Sequence, residues 1–273
     1  MTLKYLAGHW WDGDLCWDGL GWSRRTRFHD GGPQRPAPAR AAPPREAAAH
    51  SADHGGDHGS DRAGTCTLFY GARRPDCPVP CFTPGTLVTT VRGTMPIEAL
   101  RPGDRVVTRD NGPQPVVWIG ENFIAPDRLA TTPGLAPIRI GAGSLGGGLP
   151  ETDVVVSPRH RMLCGGDRAL DLFGDTEVLV AARDLAGLPG VATDTVAAVT
   201  YLHLLFEQHQ VVMADGVWSE SFQPGDWMAE GMDSAQRTEI LSIFPELADR
   251  PAADVYPAAR RGLCPDEARM LVD

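Results

Sequence analysis

Residues 81–86 read Cys81-Phe82-Thr83-Pro84-Gly85-Thr86. Pro84-Gly85 is a turn signal. It carries the chain from the cysteine into a β-rich run, Thr86–Val91. Upstream, Arg73-Arg74-Pro75-Asp76-Cys77-Pro78-Val79-Pro80 is punctuated by prolines and reads as a stiff linker. Downstream, after Arg92-Gly93, Leu100-Arg101-Pro102-Gly103-Asp104 brings a second turn. A cysteine at a linker–domain border, followed at once by a turn and a strand, is oddly placed for a core residue.

From Cys81 onward, short β-type runs alternate with turn residues. The strand candidates are Thr86–Val91, Arg105–Thr108, Pro115–Ile119, Pro137–Ile140, Asp153–Val156, His160–Cys164, Thr176–Ala181, Val196–Phe206, Gln210–Met213 and Val217–Glu220. Turns fall between them at Asp110-Asn111-Gly112, Gly146-Gly147-Gly148, Gly165-Gly166-Asp167 and Asp215-Gly216. Many short strands with regular turns read as an all-β domain. Arg183–Leu188 reads as one helical turn. Asp233 can cap a helix running toward Ala248, which Pro245 ends early. A weaker helix is expected near Pro265–Val272.

Charge divides the chain. Residues 1–80 hold 10 Lys and Arg against 9 Asp and Glu, and residues 81–273 hold 15 against 26. An acidic second part argues against nucleic acid as a partner, because phosphate contacts need clustered cations. The six cysteines form no Cys-x-x-Cys pair, so a thiolate zinc site is not expected. No secretory signal pattern and no membrane-span run is visible, and the sequence assigns no compartment.

The first 78 residues read as a low-complexity, mostly disordered leader and linker. Residues 1–30 scatter Trp10, Trp11, Trp17 and Trp22 among Gly and Asp with no helix or strand period. They read as a small aromatic binding patch or, more simply, as a poorly ordered leader or an over-extended gene start. Residues 31–64 lack the apolar content to offset ordering entropy. His50, His54 and His58 recur at helical spacing, but Gly55, Gly56 and Gly59 interrupt them, which leaves adventitious metal binding at most. Thr67–Tyr70 fits one short strand.

Cys81-Phe82-x-x-Gly85-Thr86, with Leu100-x-Pro102-Gly103-Asp104 behind it, resembles the opening of a Hint domain, the hedgehog/intein autoprocessing module, most closely its bacterial type. The resemblance covers about residues 79–222 and implies a flat horseshoe of short strands. Residues 223–273 would be a short helical extension. It implies that Cys81 attacks its own preceding peptide bond, an N-to-S acyl shift that gives a thioester at Pro80–Cys81. Such a step needs a base near the sulfur, donors where the oxyanion develops, and a proton for the departing amine.

The resemblance supplies three further site residues. Val154-Val155-Val156-Ser157-Pro158-Arg159-His160 matches the family's Thr-x-x-His block. His160 would then protonate the scissile nitrogen while Ser157 polarises the bond. The simpler reading makes Ser157-Pro158 a strand terminator and His160 an edge residue. Tyr201 to Val212 looks like the last family block and implies that His203 tunes the thiol. In a strand, Tyr201, His203 and Leu205 share one face. His209 falls at the following turn. For both imidazoles the plain alternative is a half-buried ring bonded to backbone. Cys164 could face the same side but reads first as a small buried hydrophobe.

Two departures shape the expectation. Inteins end in His-Asn, whereas the matching region here is Val217-Trp218-Ser219-Glu220-Ser221-Phe222, so full splicing is not expected. Pro80 stands where hedgehog-type sites commonly have glycine, and its ring restricts the attacked carbonyl. The expected function is N-terminal cleavage or transfer on the chain itself, with no cofactor and an unidentified acceptor nucleophile. The alternatives are a non-catalytic β interaction module or decayed Hint relic, and a thiol protease acting in trans.

Overall fold

The computed structural model describes residues 79–225 and 234–272 in full and, among residues 1–78, only the backbone of four short strands. These are β1 (Lys4–Leu6), β2 (His9–Asp12), β3 (Leu15–Trp17) and β4 (Trp22–Arg24), joined as an antiparallel meander. The histidines at 50, 54 and 58, the Thr67–Tyr70 strand and the Asp233 cap lie outside the described residues.

The rest is β-rich, as the sequence predicts. β5 (Leu87–Thr90), β6 (Gly93–Pro96), β7 (Arg105–Thr108) and β8 (Gly112–Pro115) form two antiparallel hairpins, β5–β6 and β7–β8, joined through β5 and β7. Gly93 and Gly112 take positive φ, +106° and +62°, at the hairpin turns, where a side chain would be strained. The larger sheet is completed by β12 (Arg161–Gly165), β13 (Glu177–Ala181), β16 (Val211–Ala214) and β17 (Val217–Glu220), in the order β13-β12-β17-β16-β5-β7-β8. Asp215 and Gly216, both at positive φ, make the two-residue hairpin between β16 and β17.

A long ribbon is separate from this sheet: β9 (Trp118–Ile124) pairs antiparallel with β15 (Val199–Leu205). A third unit joins β10 (Ile138–Ile140) to β11 (Val154–Val156) and β14 (Val191–Thr193). The single strand expected over Pro115–Ile119 is two strands. Between them Val116 donates to Asp104 O at 2.9 Å and Val117 to Leu205 O at 2.8 Å, so the chain changes sheets there. The sequence also gave no sign of β6 or of the short helices Pro126–Thr131 and Asp167–Phe173. The second of these ends on Gly174 in the left-handed region.

Two apolar clusters fill the interior. One contains Phe82, Val156, Leu202 and Leu204, and the other Cys81, Val79, Tyr201 and Leu205. β15 is therefore buried on both faces, with Tyr201 and Leu205 turned toward Cys81. The C-terminal extension packs onto this body. Its helix Ser234–Ile243 stops before Pro245 and contributes the buried Ile240 to the Cys81 cluster. Further on, Leu179 of β13 donates to Arg261 O at 2.8 Å and accepts from Leu263 N at 2.9 Å, a parallel bridge at the sheet edge.

Candidate functional site

Phe82 decides where Cys81 lies. Its backbone bridges β15, donating to Leu202 O and accepting from Leu202 N, both at 2.9 Å, and it also bridges to Val156 of β11. Ser157 N donates to Cys81 O at 2.9 Å, and the Thr83 hydroxyl to Val155 O at 2.8 Å. The segment is thus stitched between the end of β11 and the middle of β15. That brings Ser157, 76 positions away, and His203, 122 positions away, to the same cysteine.

The contacts surround one peptide bond, Pro80–Cys81. Cys81 N donates to Ser157 Oγ at 2.9 Å, and the Ser157 hydroxyl donates to Val79 O at 3.0 Å. His203 Nδ1 lies 3.0 Å from Pro80 O and its Nε2 lies 3.7 Å from Cys81 Sγ. A carbonyl only accepts, so Nδ1 carries the hydrogen and Nε2 presents a lone pair to the sulfur. The thiol also donates to Val79 O at 3.0 Å. Val79, Pro80, Cys81, Ser157 and His203 are all buried. Burial pushes the His203 imidazole down to about 4, against the upward pull of the Pro80 carbonyl, so it is neutral near pH 7.

His160 is placed differently from the other three. Its ring stands edge-on to Phe82, centroids 4.3 Å apart. Neither ring nitrogen has a hydrogen-bond partner among the described residues. Burial, the charge of Arg161 and the neighbouring imidazoles hold it at about 4, with Glu220 pulling the other way. The atom contacting the Cys81 nitrogen is Ser157 Oγ, where the family resemblance would put His160.

Behind these residues lies a buried polar cluster that the sequence reading missed. The fully buried Glu220 carboxylate accepts from Arg161 N at 2.9 Å and pairs with the Arg161 guanidinium at 3.3 Å. Burial pushes this carboxyl up, but Arg161 and His209 outweigh that effect and hold it below the ordinary range. His209 Nδ1 accepts from Ala259 N at 2.9 Å, so its hydrogen is on Nε2, 3.2 Å from Ser221 O. His209 therefore ties the body to the extension. The available signal was Glu220 standing where inteins carry His-Asn. Burial pushes the Cys164 thiol up to about 12, which keeps it protonated. Among the described residues no cluster of His, Cys, Asp and Glu side chains could hold a metal, and no helix is long and apolar enough to cross a membrane.

A family model described as the Hint domain matches residues 80–226. No curated protein matches the chain. Among solved structures, the crystal structure of the gp41-1 intein is 11% identical, with 51% of this chain and 97% of that one covered at a TM-score of 0.32. The solution structure of a bacterial intein-like domain from Clostridium thermocellum is 14% identical, with 52% and 97% covered at 0.32. An AceL NrdHF class 3 split intein variant is 16% identical, with 52% and 96% covered at 0.35. Likenesses this distant carry no residue-by-residue argument. The family match spans more than half of the sequence and takes in the buried Pro80–Cys81 bond with its surroundings: the chain belongs to the Hint-domain family of autoprocessing modules.

Proposed function

We propose that this domain performs an N-to-S acyl shift at Pro80–Cys81 and releases or transfers the upstream segment through a thioester. The supporting observation is that one imidazole, His203, touches both the sulfur and the carbonyl oxygen of the bond to be broken. The thiol proton passes from Sγ to Nε2. The sulfur adds to the Pro80 carbonyl carbon, and the negative charge forming on oxygen is met by Nδ1–H, which is already 3.0 Å away. As the carbon–nitrogen bond weakens, the Cys81 nitrogen gains a lone pair and takes up a proton. We assign its delivery to the Ser157 hydroxyl, whose oxygen lies 2.9 Å from that nitrogen and whose hydrogen must turn from Val79 O, with the His160 imidazole beside Phe82 as the second donor. The C–N bond then breaks, the amine keeps the proton delivered to it, and the proton taken up by His203 restores the group that gave it, so the shift leaves no net charge.

On this reading, the β domain at about residues 79–222 is the working unit before cleavage, residues 1–80 are the segment released by the break at Pro80–Cys81, and residues 223–273 are an extension. The domain acts on its own chain, and water or an external nucleophile resolves the thioester. The absence of an intein-like His-Asn near Glu220 supports cleavage over splicing. One observation favours a silent relic or interaction module instead: Cys81 is 0% exposed, so no external nucleophile reaches it without local opening.

Intact-mass spectrometry of wild type and Cys81→Ala, with and without dithiothreitol, separates the readings. A fragment beginning at Cys81 in the wild type alone supports the acyl shift. Uncut protein in every sample rejects it.

A further inference from the structure

His203 does not hold its ring plane alone. The Trp118 indole lies nearly parallel to it, centroids 6.5 Å apart and planes 7° apart. Phe222 closes against the imidazole at 5.5 Å. In the ribbon, His203 pairs with Gly120 and Leu205 with Trp118, so Trp118 is the diagonal neighbour of His203. Gly120 is what admits the indole. A β-carbon there would come 2.1 Å from Trp118 Cη2 and 2.7 Å from two further ring atoms. The indole therefore folds back over bare backbone toward the histidine.

The other edge of that indole is tied from outside the β body. Trp118 Nε1 donates to Glu239 Oε2 at 2.7 Å. Glu239 belongs to the helix Ser234–Ile243, whose Ile240 is buried in the cluster that holds Val79 and Cys81. Gln236 of the same helix donates to Glu121 O at 2.6 Å. A neutral N–H bonded to a carboxylate makes a stronger bond than one between neutral groups, and a buried indole N–H needs a partner.

We propose that Glu239 is a positioning residue for His203. Acting through Trp118, it fixes the imidazole plane between Pro80 O and Cys81 Sγ. This makes the helix Ser234–Ile243 a part of the active site. The imidazole meets its two partners from opposite nitrogens, so a rotation of the ring breaks both contacts at once. The chemical meaning of this role rests on the proposed acyl shift. The geometry does not.

The test uses the full chain carrying Cys81→Ala, which stays uncut, and follows solvent exchange of the His203 Nδ1 hydrogen by NMR. Glu239→Leu should speed that exchange at least about tenfold, the factor corresponding to ~1.4 kcal/mol. Glu239→Gln keeps an acceptor for the indole and should restore slow exchange, which a purely structural acidic residue would not require. In a Trp118→Phe background, Glu239→Leu should add nothing. Glu239→Ala takes the place of Glu239→Leu if that chain does not fold. Equal exchange with and without the carboxylate overturns the proposal, as does an undiminished Glu239→Leu effect in Trp118→Phe. With Cys81 restored, dithiothreitol cleavage is read separately. An uncut wild type refutes the acyl shift, while the exchange data still decide the role of Glu239.

Discussion

Ser157 accepts the amide hydrogen of Cys81 at 2.9 Å and passes its own hydrogen to Val79 O at 3.0 Å. The hydroxyl thus clamps the backbone on both sides of Pro80. Replacing it by alanine removes the Ser157 acceptor of the buried Cys81 N–H and a donor to Val79 O. In a Cys81→Ala chain, where cleavage cannot interfere, Ser157→Ala should lower unfolding stability by about 1–3 kcal/mol. Urea denaturation measures this. An unchanged midpoint would show that the clamp carries no stability.

His203→Ala removes the lone pair facing Sγ and the hydrogen facing Pro80 O together. Thiol-dependent cleavage should fall by roughly 10²–10⁴-fold, the range of positioned acid–base groups. Intact mass sampled over time in dithiothreitol gives the rate. Cleavage at the wild-type rate would remove His203 from the mechanism.

Both His160 and His203 are held at about 4 by burial, below the ordinary histidine value. The unfolded chain therefore binds protons first as pH falls. The stability these neutral rings carry is complete above pH ~6.5 and is lost as pH drops from there toward 4. Each imidazole contributes a slope of up to about 1.4 kcal/mol per pH unit in that window. Urea midpoints taken from pH 7 to pH 4.5 should fall steadily, and His160→Phe should flatten the slope. A flat wild-type profile would contradict the buried neutral state.

Glu220 has no exposure and is paired with Arg161 and close to His209. Glu220→Ala takes the carboxylate away from the Arg161 guanidinium, whose side chain is only 17% exposed, and from the Arg161 N–H. The expected loss is about 3 kcal/mol, the lower end for breaking a buried pair. Thermal or urea unfolding of the Cys81→Ala background reads this directly. A loss below half a kilocalorie per mole would mean that water replaces the carboxylate without penalty.

Much of the β architecture was legible because turn chemistry is local. Asp215-Gly216 and Asn111-Gly112 announce hairpins, and the strands between them follow from β-branched runs. The helix Asp167–Phe173 was not legible, since its first residues double as a turn signal at Gly165-Gly166-Asp167. Tyr201, His203 and Leu205 could be assigned to one face from strand period alone, whereas the burial of both faces of β15 could not. Glu220 was hidden for a similar reason. An acidic residue at a strand end reads as solvent-facing until Arg161 is brought against it from another strand.

By itself the sequence determined an all-β fold, its family, and which Cys, Ser and His residues were candidates for a site. Those properties reside in local turn signals and in motif spacing along the chain. Only the tertiary structure decided which atom meets which. The bridging of Phe82 between β11 and β15 set Ser157, and not His160, on the Cys81 nitrogen, and put His203 on both Pro80 O and Sγ. Packing of the helix Ser234–Ile243 onto the β body brought Glu239 to Trp118 from 121 positions away. Contacts at such separations depend on how sheets cross and pack, and no local pattern of residues encodes them.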